Sequence, residues 1–256
     1  MDVVPPENIY GHVQRLHWLR DHLRPKERAV EFGCGTGRLI TLPLRAWGYD
    51  VTGVDLDEPS IEHGRALLRE AGLDPEALQA VDLRELPGPF DAVIASEILE
   101  HLDDDELAGS LELIREKLVP GGKLLVTTPG GYSLFELENL LFYGTRLDRV
   151  YRRLRTGRLG QRLRRLKEER AEWSSDEEPM TLADSPHKQR FTWGSIHRIL
   201  GSAGFDVTEA RGAILFCGPF TDLAFSGLPR VMNVNKWLGR RFPRAASDYY
   251  LAAVKR

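Results

Sequence analysis

Glu31 stands two residues ahead of the first of three glycines, at 33, 35 and 37, in the run AVEFGCGTGRL. Apolar residues precede this loop and the apolar stretch LITLPLRAWG follows it, which predicts a strand, a tight turn and a helix start. Glycine there lets the backbone approach a ligand with no Cβ in the way, and a helix start offers free N–H groups. The dinucleotide pattern G-x-G-x-x-G would need glycine at 38, where the chain has Arg38. A carboxylate at the strand end suits a ligand bearing positive charge and discourages a pyrophosphate. Asp55 lies 22 residues beyond Gly33, near the roughly 20-residue offset at which an acid accepts hydrogen bonds from ribose hydroxyls. Asp57 is the alternative, as a turn or cap residue.

Two histidines have the chemistry of a base. His101 follows Glu100 in SEILEHL, and His187 opens HKQRFTW; either imidazole can take a proton near neutral pH. Glu97, Glu100 and His101, at i, i+3 and i+4, share one helical face. With His187 they could make a two-carboxylate, two-histidine cation site. A histidine bonded to a neighbouring carbonyl or carboxylate is the competing reading.

The elements that must position these groups follow in order. Residues 8–23 have the periodicity of an amphipathic helix, carrying Tyr10, His12 and His17 either toward a ligand or into packing. YDVTGVDLDE reads as a second strand, 59–72 as a helix with proline at its first turn, and LQAVDL as a third strand closing at Asp82. Ala92–Ala95 suits a buried parallel strand, with Ser96 to His101 at its carboxyl end. Asp103 and Glu106 form a capping-box pattern for a helix with Leu107, Leu111, Ile114 and Leu118 on one face, and GGKLLVTTPGG is a fifth strand. Such alternation predicts a doubly wound α/β sheet.

The series VEFGCGTG, GVDLDEPSIE, QAVDL, FDAVIASEILEHL and LVPGGKLLVTTP resembles the motifs of class I S-adenosylmethionine (SAM) dependent methyltransferases. SEILEHL and HKQRFTW are most similar to the group containing ubiquinone-pathway O-methyltransferases. The resemblance implies a Rossmann-like, seven-stranded, mainly parallel sheet, with FTWGSIHRILGSAGFDV supplying a helix and the sixth strand and DYYLAAVKR the seventh. It implies SAM as cofactor, with the methionine end at Glu31, Gly33, Cys34, Gly35 and Gly37, the ribose at Asp55 and Leu56, the adenine at Asp82 and Leu83, and Ser96 at the mouth. His101 or His187 would be the base. The two-carboxylate, two-histidine set also resembles metal-dependent methyltransferases of the 3′-terminal 2′-hydroxyl of small RNAs. Those have histidine two residues before the phenylalanine where this chain has Gln189, and no metal is assigned.

Composition bounds the rest. The 256 residues are 42% hydrophobic and 29% charged, with only two cysteines, so neither a disulfide framework nor a zinc site is indicated. No run has the length of a membrane span and the start lacks a signal-peptide pattern, so a cytoplasmic, single-domain chain is expected. The net charge of −3 divides into −11 over residues 1–130 and +8 over 131–256. Two insertions are expected, at about 131–190 and 213–247. The first contains a basic amphipathic stretch, with 11 Lys+Arg against 3 Asp+Glu over residues 146–170. Such a stretch can meet an anionic membrane, serve as a homodimer arm or stay solvated. Nucleic acid is the least expected partner, since no RNA-binding fingerprint is present. The acceptor is expected to be a small molecule, methylated on an oxygen and apolar in character given the aromatic residues of the insertions. A non-catalytic SAM-binding module and an NAD-dependent oxidoreductase are the remaining classes, the latter disfavoured by Arg38.

Overall fold

A computed structural model describes residues 3–4, 7, 10–131, 186–218, 221 and 229–256. The helix expected around Leu134–Leu141, the basic stretch 146–170 and the acidic loop after it lie outside the described residues.

Seven strands form one sheet: β1 (Arg28–Phe32), β2 (Asp50–Asp55), β3 (Leu78–Ala80), β4 (Phe90–Ser96), β5 (Leu118–Pro129), β6 (Phe205–Gly212) and β7 (Asp248–Lys255), in the order β3-β2-β1-β4-β5-β7-β6. The first five run parallel, and β7 enters antiparallel between β5 and β6. Around them lie α1 (His12–His22), α2 (Thr41–Ala46), α3 (Glu58–Glu70), α4 (Asp104–Lys117), α5 (Trp193–Ser202) and α6 (Pro229–Arg241). The sheet is the mainly parallel, doubly wound arrangement expected.

Strand β4 shows why this sequence makes a central strand. Ala92, Val93, Ile94 and Ala95 are all fully buried, with Val93 and Ala95 in one core and Ala92 and Ile94 in the other. Successive side chains point to opposite faces, so a strand covered on both faces must be apolar throughout. One core holds Leu107, Leu111 and Ile114 of α4 with Ile196 and Leu200 of α5; the other holds Leu16, Trp18 and Leu19 of α1 with Leu44 of α2.

Two boundaries differ from expectation. Leu118 leaves the helical stripe and begins β5, pairing with Phe90. Helix α2 starts at Thr41, and Arg38 to Ile40 continue as turns after the glycines. The capping box of Asp103 and Glu106 forms as expected, and Asp57 is the N-cap of α3.

Gly64 brings α3 against the glycine loop: a Cβ there would lie 2.2 Å from the carbonyl oxygen of Thr36. Gly64→Ala should destabilise the protein by about 1–3 kcal/mol, because the overpacked contact is backbone and outweighs the helix-propensity gain. Thermal denaturation measures this, and an unchanged midpoint would mean that α3 can back away from the loop.

Candidate active site

The chain order reverses between β1 and β4, and open α/β sheets bind ligands at the carboxyl ends of the strands at such a point. Gly33 turns there with φ +70°, and a Cβ on it would lie 2.6 Å from the Ile98 side chain, so the loop closes onto the segment after β4. Its N–H and that of Cys34 donate to Val54 O at 2.9 and 3.0 Å, tying the loop to β2.

Asp55 ends β2 with both oxygens held: Gly35 N donates to one at 2.7 Å and Asp57 N to the other at 3.0 Å. Each oxygen keeps further acceptor capacity, so the carboxylate is oriented before any ligand arrives. Leu56 beside it is 75% exposed, an apolar surface at the mouth. Asp82, two residues beyond β3, accepts from Arg84 N at 2.8 Å and Arg84 Nη1 at 3.0 Å. Leu83 is buried in the core, so only its backbone faces outward chemistry. Ser96 Oγ meets Thr127 Oγ1 at 2.7 Å. Burial, then Glu31 and Asp55, push the Cys34 thiol well above its ordinary value, so it stays protonated.

Glu31 does not stand open at the loop as its position suggested. Its buried carboxylate accepts from Thr41 N at 3.0 Å and Thr41 Oγ1 at 2.5 Å, so it occupies the start of α2. The free N–H groups expected after the glycines are therefore partly used from within. Burial raises the Glu31 pKa to about 7, against the opposing pull of the Thr41 bonds and Arg15.

A partly buried charge cluster lies at the ends of β4, β5 and β7. Arg15 of α1 pairs with Glu97 at 3.1 Å, and Thr127 Oγ1 donates to Glu97 Oε1 at 2.8 Å. Glu97 sits at φ 53°, the left-handed region, where a non-glycine residue carries strain of about 1–3 kcal/mol. Its N–H is held by Thr127 O at 2.9 Å. Asp248 opens β7 opposite Pro129. Burial, then the neighbouring Glu97, push its pKa well up, while Arg15 opposes. Burial alone would lower the Arg15 pKa, but Glu97, Tyr250 and Asp248 together raise it, so the guanidinium stays charged.

Next to this cluster, Glu100, His101 and His187 each offer a donor atom within 4.8 Å of the others. The two imidazoles meet edge to face with centroids 5.0 Å apart. Glu100 Oε2 accepts from Thr128 Oγ1 at 3.2 Å, whereas buried Glu100 Oε1 has no hydrogen-bond partner among the described residues. Burial, then Glu97, raise the Glu100 pKa well above the carboxylate range. Burial, then His187, lower that of His101. The backbone of Lys188 and Gln189 donates to Glu100 O at 2.8 and 2.9 Å, which pins the HKQRF segment to the end of β4. Gln189 Nε2 donates to Asp104 Oδ1 at 2.7 Å. Glu97, turned toward Arg15 and Thr127, is not part of the three-donor set.

A family profile described as a methyltransferase domain matches residues 11–210. The chain belongs to this methyltransferase family. A ubiquinone biosynthesis O-methyltransferase from Xylella fastidiosa is 36% identical over 104 residues, 40% of this chain and 41% of that protein. One from Rhizobium rhizogenes is 30% identical over 163 residues, 55% of this chain and 64% of that protein. The aligned part is about two fifths of the length of the first of these relatives. Among solved structures, a SAM-dependent methyltransferase from Archaeoglobus fulgidus superposes with TM-score 0.56 at 21% identity, over 94% of this chain and 92% of that one. Magnesium protoporphyrin IX methyltransferase from Synechocystis, with bound S-adenosylhomocysteine, gives TM-score 0.54 at 16% identity over 96% and 81%. These likenesses show the fold of class I SAM-dependent methyltransferases.

Sequence reasoning passed over Arg15, Thr127 and Asp248 of the charge cluster. Arg15 had a readable signal: it falls in the same helical stripe as His12, Leu16 and Leu19, all buried, and an arginine inside an apolar stripe demands a buried partner. Of the histidines weighed on α1, His12 is buried beside Glu7 and His17 lies against Trp47, 5.8 Å between centroids.

Proposed function

We propose that this methyltransferase transfers a methyl group from SAM to an oxygen of a small, apolar acceptor. The observation that carries the reading is the convergence of an oriented Asp55, the glycine turn and the His101–His187 pair on one carboxyl edge of the sheet. The residues fit such a cofactor: Asp55 keeps free acceptor capacity for ribose hydroxyls, and Leu56 offers an apolar face beside it. SAM supplies a methyl group already activated on a sulfonium, so the protein's main task is alignment.

Arg15 and Glu97 define a polar wall beside the loop, with Arg15 the cation for a carboxylate and Glu97 the acceptor for an ammonium. His101 is kept neutral by burial and by His187. A neutral ring nitrogen of His101 takes the acceptor's hydroxyl proton, and His187 orients that ring.

Calorimetric titration with SAM and S-adenosylhomocysteine tests the reading. Asp55→Ala should weaken binding at least about tenfold, about 1.4 kcal/mol. Asp55→Asn, which keeps an acceptor for Gly35 N, should lose less. Folded protein that binds neither compound would overturn the assignment.

A second reading, metal-assisted methylation of an RNA 2′-hydroxyl, is favoured by one observation: the buried Glu100 oxygen that lacks a hydrogen bond among the described residues lies beside two imidazoles. Glu100, His101 and His187 would hold the cation, which would polarise the acceptor oxygen. Manganese titration into the wild type and His187→Ala separates the readings, since only a metal site predicts saturable binding lost in the variant.

A further inference from the structure

Helix α6 is locked in rotation by its inner face. Asn235 bonds the Phe216 backbone both ways, accepting from its N–H at 2.9 Å and donating to its carbonyl at 2.6 Å. A Cβ on Gly239 would lie 2.6 Å from Ile214 N, so the helix rides directly on the Ala213–Ile214 backbone. Met232 is buried, and Lys236 at the flank pairs with Glu7.

That lock dictates what faces outward: Arg230, Asn233, Val234, Trp237, Arg240 and Arg241 all lie away from the inner face. Val234 is 56% exposed, Trp237 55% and Phe242, just past the helix, 50%. Residues 229–247 contain five Lys+Arg and no Asp or Glu. Among the described residues, none of Arg230, Arg240, Arg241 and Arg244 is paired with a carboxylate. An ordinary solvated face mixes both signs of charge and spares its tryptophans. Here an aliphatic and two aromatic side chains lie among unneutralised arginines.

We propose that the outer face of α6, continued by Phe242 and Arg244, docks the protein on an anionic lipid surface. An amphipathic helix with a cationic rim lies in the interface plane, its apolar row entering the headgroup boundary and its charges meeting acidic lipids. Trp237 has the ring type that favours headgroup level. Val234 argues for lipid over nucleic acid, since a branched aliphatic group offers no face for base stacking. The surface adjoins the start of α1: Lys236 reaches Glu7, and Gly11, one residue before α1, abuts Ile214, on which α6 rides. Docking there would hold the α1 side of the molecule near the bilayer. The inference goes beyond the methyl-transfer reading and does not depend on it, because lipid binding is read without cofactor or acceptor.

The test is flotation of the full chain with phosphatidylcholine vesicles, with and without phosphatidylglycerol. The wild type should float only with the anionic vesicles, and less as salt rises. The double variant Arg240→Glu, Arg241→Glu should weaken binding at least about tenfold. Trp237→Ser should also weaken it, and Trp237→Phe should lose most quenching of tryptophan emission by brominated lipid. All these positions are exposed, so unchanged thermal midpoints are expected. No binding of the wild type to anionic vesicles would overturn the proposal. So would binding that ignores every α6 variant, which would move the surface elsewhere, or tighter α6-dependent binding to single-stranded RNA.

Discussion

Arg15→Met should destabilise the protein by about 3 kcal/mol near neutral pH, the low end of the roughly 3–5 kcal/mol cost of breaking a buried ion pair. Arg15 is 13% exposed and Glu97 26%, so some water still reaches the carboxylate, which selects the low end. Loss of the guanidinium leaves Glu97 facing Asp248 and Glu100 with no cation between them. Arg15 now holds the pKa values of Asp248 and Glu100 below where burial would put them. In the variant both rise further, so the folded state binds more protons than the unfolded chain, and stability falls as pH climbs above the ordinary carboxylate range. The deficit should therefore be small in acid, where both carboxyls are protonated in either protein, and should grow as pH rises through their raised folded pKa values. For a chain of this size the midpoint should drop about 6–12 °C. Adding Asp248→Asn to Arg15→Met should recover part of the loss. A small deficit independent of pH would show that Asp248 and Glu100 do not sense Arg15.

Glu31→Gln should remove a pH dependence rather than a contact. Burial raises the Glu31 pKa from 4.5 to about 7. A raised carboxyl pKa means stability present below the unfolded value and lost as pH rises through the folded one. One pKa unit corresponds to about 1.4 kcal/mol, so ionising Glu31 inside the fold costs about 3 kcal/mol between pH 4.5 and 7. The substituted amide would keep an acceptor for Thr41 and carry no charge. Urea unfolding at pH 4.5, 6 and 7.5 should show the variant gaining about 3 kcal/mol on the wild type over that range. Parallel curves would mean that Glu31 is ionised throughout. A cationic ligand beside the loop should favour the ionised form, so calorimetric SAM binding near pH 6 should release a proton and its heat should depend on the buffer.

Most of the fold was legible because its signals are local. The glycine spacing at 33, 35 and 37, the acid at the end of β2, the apolar run at 92–95 and the capping box of Asp103 and Glu106 each need only a few neighbouring residues to act. Backbone sterics, strand alternation and helix capping work at that range. The sequence by itself determined the alternation of strands and helices, the glycine loop and the imidazole after β4. What only the tertiary structure decided was which distant groups share one dielectric environment. Arg15, Glu97 and Asp248 meet because Arg15 of α1 reaches the carboxyl edge and because β7 is antiparallel, which brings its first residue to the edge where parallel strands end. Glu31 turns inward because α2 begins late and its first N–H groups need an acceptor. Likewise the outer face of α6 became visible only once Asn235 and Gly239 had locked its rotation. Burial and charge coupling are properties of the packed chain, and a sequence lists such residues without saying which of them lose water together.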